Sequence, residues 1–188
     1  MRDTPTASER ALVEEIFQRI AADLTLVVDR DLRVQEVRAE RGRERPAAEG
    51  TIHVSFKLGF LIGNASRQGC WLVPLPEVLS LASLLMQRPD AFSRSRRGRT
   101  RLDAATKDAI SELADFVAGS TQGALCALGS RARVRSDGCQ GVREGGRPIL
   151  GERAGGPLLV GRGRARLHDL EPFRMWLVVP GTGVAPAA

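Results

Sequence analysis

The sequence predicts an α+β fold built as a pseudo-twofold repeat, each half a helix followed by strands of a largely antiparallel, curved sheet. Three observations predict it. Helical and strand-like segments alternate without the rhythm of successive βαβ units. Glu15-Ile-Phe-Gln18-Arg-Ile-Ala21 aligns with Glu112-Leu-Ala-Asp115-Phe-Val-Ala118 at an offset of 97 residues (112 − 15). Both copies read Glu, aliphatic, any, polar, any, aliphatic, Ala, and a period near half the chain length points to two related halves. Finally, 188 residues suffice for one domain, or two small halves packed intimately, around a sizeable core.

Taken in order, residues 8 to 24 read as an amphipathic helix with Leu12, Ile16, Ile20 and Leu24 on one face, opened by a Thr6/Glu9 capping box. Leu24 to Val28 and Leu32 to Val37 read as strands joined at Asp29-Arg-Asp31, and the charged run from Arg38 to Gly50 as an exposed loop. Ile52 to Phe60 alternates and then turns continuously apolar, a strand buried on one face and then on both. Asn64 to Gly69 reads as a turn and Gly69 to Val73 as a further strand. A helix spans Pro76 to Gln87, proline being tolerated in the first turn. The arginine-rich stretch 94 to 101 reads as a linker, and a long helix runs from about Asp103 to Ala127. Arg131 to Val142, Pro157 to Leu167 and Phe173 to Val179 read as strands, and the residues from Pro180 as a frayed tail.

The net charge of +6 is almost wholly arginine, because Lys57 and Lys107 are the only lysines. Residues 1 to 50 are slightly acidic, whereas Arg94 to Arg101 and the span from Arg131 to Arg166 are strongly basic. Arg94 to Arg101 with Arg162 and Arg164 would suit nucleic acid or an acidic partner. Nucleic acid is disfavoured, since no aromatic residue interleaves the arginines and no helix-turn-helix or RNP motif appears. Gly161-Arg-Gly-Arg164 is too short and too late to be a phosphate loop, and no Walker lysine follows it. Three scattered cysteines, Cys70, Cys126 and Cys139, form no disulfide framework or zinc motif; Cys70 and Cys126, among apolar neighbours, read as core fillers. The absence of a long apolar run and of a secretory leader leads to the expectation of a cytoplasmic protein with no membrane contact.

The richest stretch lies in the second long helix. Asp108, Glu112 and Asp115 stand at i, i+4 and i+7, with Gly119 at i+11, so they share one stripe. Ile110, Leu113, Ala114, Val117, Thr121 and Ala124 form the opposite, core-facing stripe. Three carboxylates followed by a bare glycine leave room for another surface to lie close.

Asp108-x-x-x-Glu112-x-x-Asp115 resembles the Asp/Ser-x-x-x-Glu-x-x-Asn signature of the CheC/CheX/FliY chemotaxis phosphatases, whose fold is shared with the FliM middle domain. Pro74 to Met86 is similar to the mid-domain helix of that family, and Leu102 to Asp108 to the approach to its second signature helix. The resemblance implies one CheC-like domain over residues 1–180, with halves of about 8–88 and 102–179 and a flexible tail at 181–188. It implies a partner, a CheY-type response regulator or another flagellar or chemotaxis protein, and allows a homodimer. In the family mechanism a Glu pairs with the regulator's lysine while an Asn amide orients the attacking water; Mg²⁺ belongs to the regulator, so the protein needs no cofactor of its own. Carried over, Glu112 takes the lysine and Asp115 the place of the amide, with Asp108 and Gly119 beside them. Glu15 and Gln18 hold the equivalent places in the first helix, whose leading position is Ala11. Asp115 is the main departure: a carboxylate accepts hydrogen bonds but donates none. The resemblance thus leaves two outcomes open, a weakened aspartyl-phosphate phosphatase or a non-catalytic switch-type adaptor like the FliM middle domain.

Overall fold

The computed structural model describes residues 4–88, 102–151 and 156–184. Helix α1 (Ala7–Val28) begins at Thr6, whose hydroxyl accepts from the Glu9 amide while Glu9 accepts from the Thr6 amide, the reciprocal box the sequence predicts. It runs one turn past its expected end. Leu24 and Val28 extend the i, i+4 row begun by Leu12, Ile16 and Ile20, and all five are buried, so burial overrides the strand propensity of Val27-Val28. Asp29, in the left-handed region at φ 51°, ends the helix.

Strand β1 (Leu32–Gly42) continues well into the segment expected to be a loop. Arg33, Arg38 and Glu40 are exposed while Arg41 turns to Glu9 of α1, and the backbone is held by pairing with a distant strand. A hairpin follows, β2 (His53–Ile62) and β3 (Ala65–Pro74), joined by the two residues Gly63-Asn64 rather than by the broader turn expected at 64 to 69. Gly63 has φ 57°, the first-position glycine that a type II′ hairpin uses. Helix α2 (Leu75–Leu85) carries Pro76 in its first turn. The linker expected at 94 to 101 lies outside the described residues.

Helix α3 (Ala104–Ala127) starts at Asp103, which caps the Thr106 amide at 2.8 Å. Strands β4 (Arg133–Val142), β5 (Leu158–Leu167) and β6 (Phe173–Pro180) complete the domain. Beyond β6 the chain stays on the body as far as Val184, which is buried and accepts a 2.7 Å bond from the Ser130 hydroxyl.

The six strands form one antiparallel sheet in the order β1-β5-β6-β3-β2-β4. That order is a palindrome. Exchanging β1 with β4, β2 with β5 and β3 with β6 reverses it, so each half lends its first strand to the edge of the other. The helices keep the same register. Their caps, Thr6 and Asp103, stand 97 apart (103 − 6), the offset of Glu15 and Glu112. Thr25 and Gln122 share it too, and each ties its helix to the next strand: Thr25 Oγ1 accepts from the Leu32 amide at 3.0 Å, Gln122 Oε1 from the Val134 amide at 2.7 Å. Both edge strands are bulged: Glu36-Val37 opposes the single residue Gly163, and Asp137-Gly138 opposes Lys57.

The helices cover one face of the sheet and enclose the main core, including Phe17, Phe56, Phe60 and Trp71. On the other face, loops 43–52 and 143–151 cross and bond through Ala48 and Gly146 (2.8 Å) and Gly145 and Ala48 (2.8 Å), capping a smaller cluster around Leu72 and Trp176. They leave the β1–β5 end of that face uncovered.

Candidate functional site

Helix α3 presents its two stripes as its periodicity requires. Ile110, Leu113, Ala114, Val117, Thr121 and Ala124 are buried, and Asp108, Glu112, Asp115 and Gly119 are exposed. The three carboxylates make no hydrogen bond or ion pair with any described residue. Gly119 adds a second oddity. A Cβ built there would meet nothing within 4 Å, so the fold does not require glycine, which in mid-helix costs about 0.5–1 kcal/mol relative to alanine. The result is a ridge of negative charge, unpaired among the described residues, whose C-terminal end offers bare backbone.

The matching positions of α1 are arranged differently. Glu15 is half-buried. Gln18 is exposed, but its amide donates to Glu14 Oε1 at 2.9 Å and to the Val34 carbonyl at 3.3 Å, so it is held on its own helix and on β1. Arg19 pairs with Asp23 at 3.1 Å and lies against Gly123 of α3, where the two helices meet. The site residues therefore divide: four form the α3 ridge, while Glu15 and Gln18 lie on the neighbouring helix with the amide engaged.

One sequence expectation is corrected here. Cys126 is exposed, not a core filler, because it continues the outward row of Asp115, Gly119 and Gln122; its apolar neighbours Ala124 and Leu125 face the other way. Cys70 is buried as expected, and burial pushes its thiol up to about 12.

Two buried polar groups make contacts that the local sequence does not encode. Glu9 is the carboxylate of the capping box, yet it also receives Arg41, 32 residues away, through bonds of 2.8, 2.9 and 3.0 Å. Burial alone would raise its pKa, but the Arg41 and Thr6 bonds outweigh that and hold it below the usual carboxylate value. The pair walls a cleft of about 370 Å³ between the start of α1 and residues 180–183. His53 on β2 is buried, with Nδ1 3.0 Å from the Thr51 carbonyl, Nε2 without a partner among the described residues and its ring 5.5 Å from Trp176; burial lowers its pKa. Only the Thr6-x-x-Glu9 spacing hinted at the first, and no local signal marks the second. Among the described residues no three His, Cys, Asp or Glu side chains are grouped to hold a metal ion. None of the described helices is long and apolar enough to cross a membrane.

No family model matches the sequence, and no curated protein is a significant match. Solved structures match throughout. The fold is that of the CheC, CheX and FliY proteins, which the FliM middle domain shares. FliY of Thermotoga maritima superposes with a TM-score of 0.69 over 97% of this chain and 94% of its own, at 15% identity. The FliM middle domain of H. pylori does so at 0.62, covering 96% of each chain at 7% identity. CheX of Desulfovibrio desulfuricans gives 0.56, covering 88% of this chain and 97% of its own, at 11% identity.

Proposed function

We propose that the protein docks a CheY-type receiver domain on the α3 ridge, with Glu112 pairing with a lysine of the partner, and that it hydrolyses the partner's aspartyl phosphate slowly or not at all. The ridge carries the reading. Three carboxylates without a partner among the described residues, followed by a glycine that internal packing does not need, form a helix surface suited to a close-fitting, basic-centred partner. The likeness of fold to chemotaxis and flagellar switch proteins, including a FliG–FliM complex from H. pylori, supports this assignment.

Asp115 sets the chemistry. The amide at this place in the resembling signature can both donate to and accept from a water, whereas a carboxylate only accepts. It would also bring negative charge towards a phosphoryl group already flanked by carboxylates. A positioned water-activating group supplies about 10²–10⁴-fold in rate, and that is the contribution missing here. The same substitution favours the second reading, a switch-type adaptor that binds without catalysis.

Following loss of phosphate from a receiver domain at fixed Mg²⁺ tests the proposal. The wild type should bind yet barely change the rate, Asp115→Asn should accelerate hydrolysis, and Glu112→Ala should weaken binding. A wild type that is already fast and is slowed by Asp115→Asn would make Asp115 itself the catalytic group. Failure of every variant to alter binding or rate would remove the docking reading from this helix.

A further inference from the structure

Along β5 the sequence Gly161-Arg-Gly-Arg-Ala-Arg166 splits by the period of two of a strand. Gly161, Gly163 and Ala165 face the helices and are buried. A Cβ on Gly161 would stand 2.5 Å from Val13 Cγ1 and 3.0 Å from Phe17, so the small residues are what let α1 approach the sheet. Arg162, Arg164 and Arg166 point the opposite way and are exposed. Register places Arg38 opposite Arg162, Arg33 opposite Arg166 and Arg174 opposite Arg164, so six arginines share the uncovered end of the open sheet face. Three of them are partly neutralised: Arg33 by Asp31 at 2.6 Å, Arg174 by Glu49 at 3.3 Å and Arg164 by Glu36 at 3.7 Å. Arg38, Arg162 and Arg166 have no ion pair with a described residue.

This basic face and the acidic α3 ridge lie on opposite sides of one two-layer domain. Their spacings differ by about 1–2 Å per step, within the reach of long arginine side chains. Successive arginines on one side of a strand recur at about 6.8 Å. Carboxylates at i, i+4 and i+7 of a helix recur at about 6 and 4.5 Å. Guanidinium forks span such differences and take carboxylates bidentately. No aromatic side chain is exposed among these arginines to stack on a base, and carboxylates are interspersed with them, so the face suits an acidic protein surface better than a nucleic acid.

We propose that copies of this chain associate head to tail, the acidic stripe of α3 on one copy lying along the β5 arginine ladder of the next. The two contacting patches differ, so the interface is heterologous and extends or closes into a ring instead of stopping at a twofold dimer. Exposed ion pairs are individually weak, which makes the association concentration-dependent and sensitive to salt. It uses the same α3 ridge as the receiver-docking reading, so a neighbouring copy and a receiver domain would compete for that surface; the β5 ladder is its separate observation, and its test needs no receiver domain.

Sedimentation velocity on the full chain, with reductant because Cys126 and Cys139 are exposed, tests this. The wild-type mass should grow from micromolar to submillimolar protein at about 0.05 M salt and fall back at about 0.5 M. Arg162→Glu with Arg166→Glu, and separately Asp108→Arg with Glu112→Arg, should each be monomeric with unchanged melting. An equimolar mixture of the two variants should associate again, since each now complements the other. A monomeric wild type at low salt, association that neither variant weakens, or a mixture that stays monomeric would each overturn the proposal. So would a monomeric wild type whose arginines instead retain an oligonucleotide or anionic vesicles.

Discussion

A glycine in the middle of an exposed helix is less stable than alanine by about 0.5–1 kcal/mol, and at position 119 open space surrounds the place a methyl would occupy. Gly119→Ala should therefore raise the unfolding free energy by about that amount in a urea titration, with little change in slope. Gly119→Trp should keep the fold and obstruct whatever lies on the ridge. Two buried polar residues make stability depend on pH. His53 has its folded pKa below the ordinary 6.5, so between those values the unfolded chain binds the extra proton. Its contribution is present above 6.5 and is lost as pH falls from there, with Glu49 the charge that partly opposes the shift. Glu9 is also held below its ordinary value of 4.5, so the stability of its Arg41 pair disappears only as pH falls below 4.5. Denaturant midpoints across this range should show two successive losses. His53→Phe should flatten the first and Arg41→Met the second; profiles unchanged in both variants would remove these groups from the account.

Among the elements, those with a strong local period were legible in the sequence, and those held by distant partners were not. The faces of α3 could be read residue by residue because its apolar stripe repeats over 24 residues. The lower half of β1 could not, since Arg38 to Gly42 become strand only by pairing with Arg162 to Leu158, over a hundred residues later. The end of α1 was misread for the complementary reason: valines favour strands until a buried helical row claims them. β5 offers a direct check on packing. Gly161→Ala should destabilise by about 1–3 kcal/mol through overpacking against Val13 and Phe17. Gly141→Ala on β4, where nothing lies within 4 Å, should be nearly neutral. Equal effects of the two in urea titrations would contradict the account of how α1 seats on the sheet.

At the scale of the whole molecule, the repeated heptapeptide led to the pseudo-twofold, and the palindromic strand order, the common cap offset and the paired bulges give it structural substance. What the repeat could not convey is its asymmetry. In the α1 copy the amide is bonded to Val34 and Ala22 stands at the glycine's place, whereas the α3 ridge has no partner among the described residues. Side-chain engagement of this kind depends on β1, which the heptapeptide does not encode. The buried Glu9–Arg41 pair was hidden likewise, joining residues 32 apart. The most direct test of the central claim is calorimetric titration of a beryllofluoride-activated CheY-type receiver domain into the wild type, Glu112→Ala, Gly119→Trp and Gln18→Ala. The account expects saturable binding to the wild type, loss of at least tenfold in affinity for Glu112→Ala and Gly119→Trp, equivalent to about 1.4 kcal/mol, and no change for Gln18→Ala. Equal binding by all four proteins, or loss confined to Gln18→Ala, would contradict it.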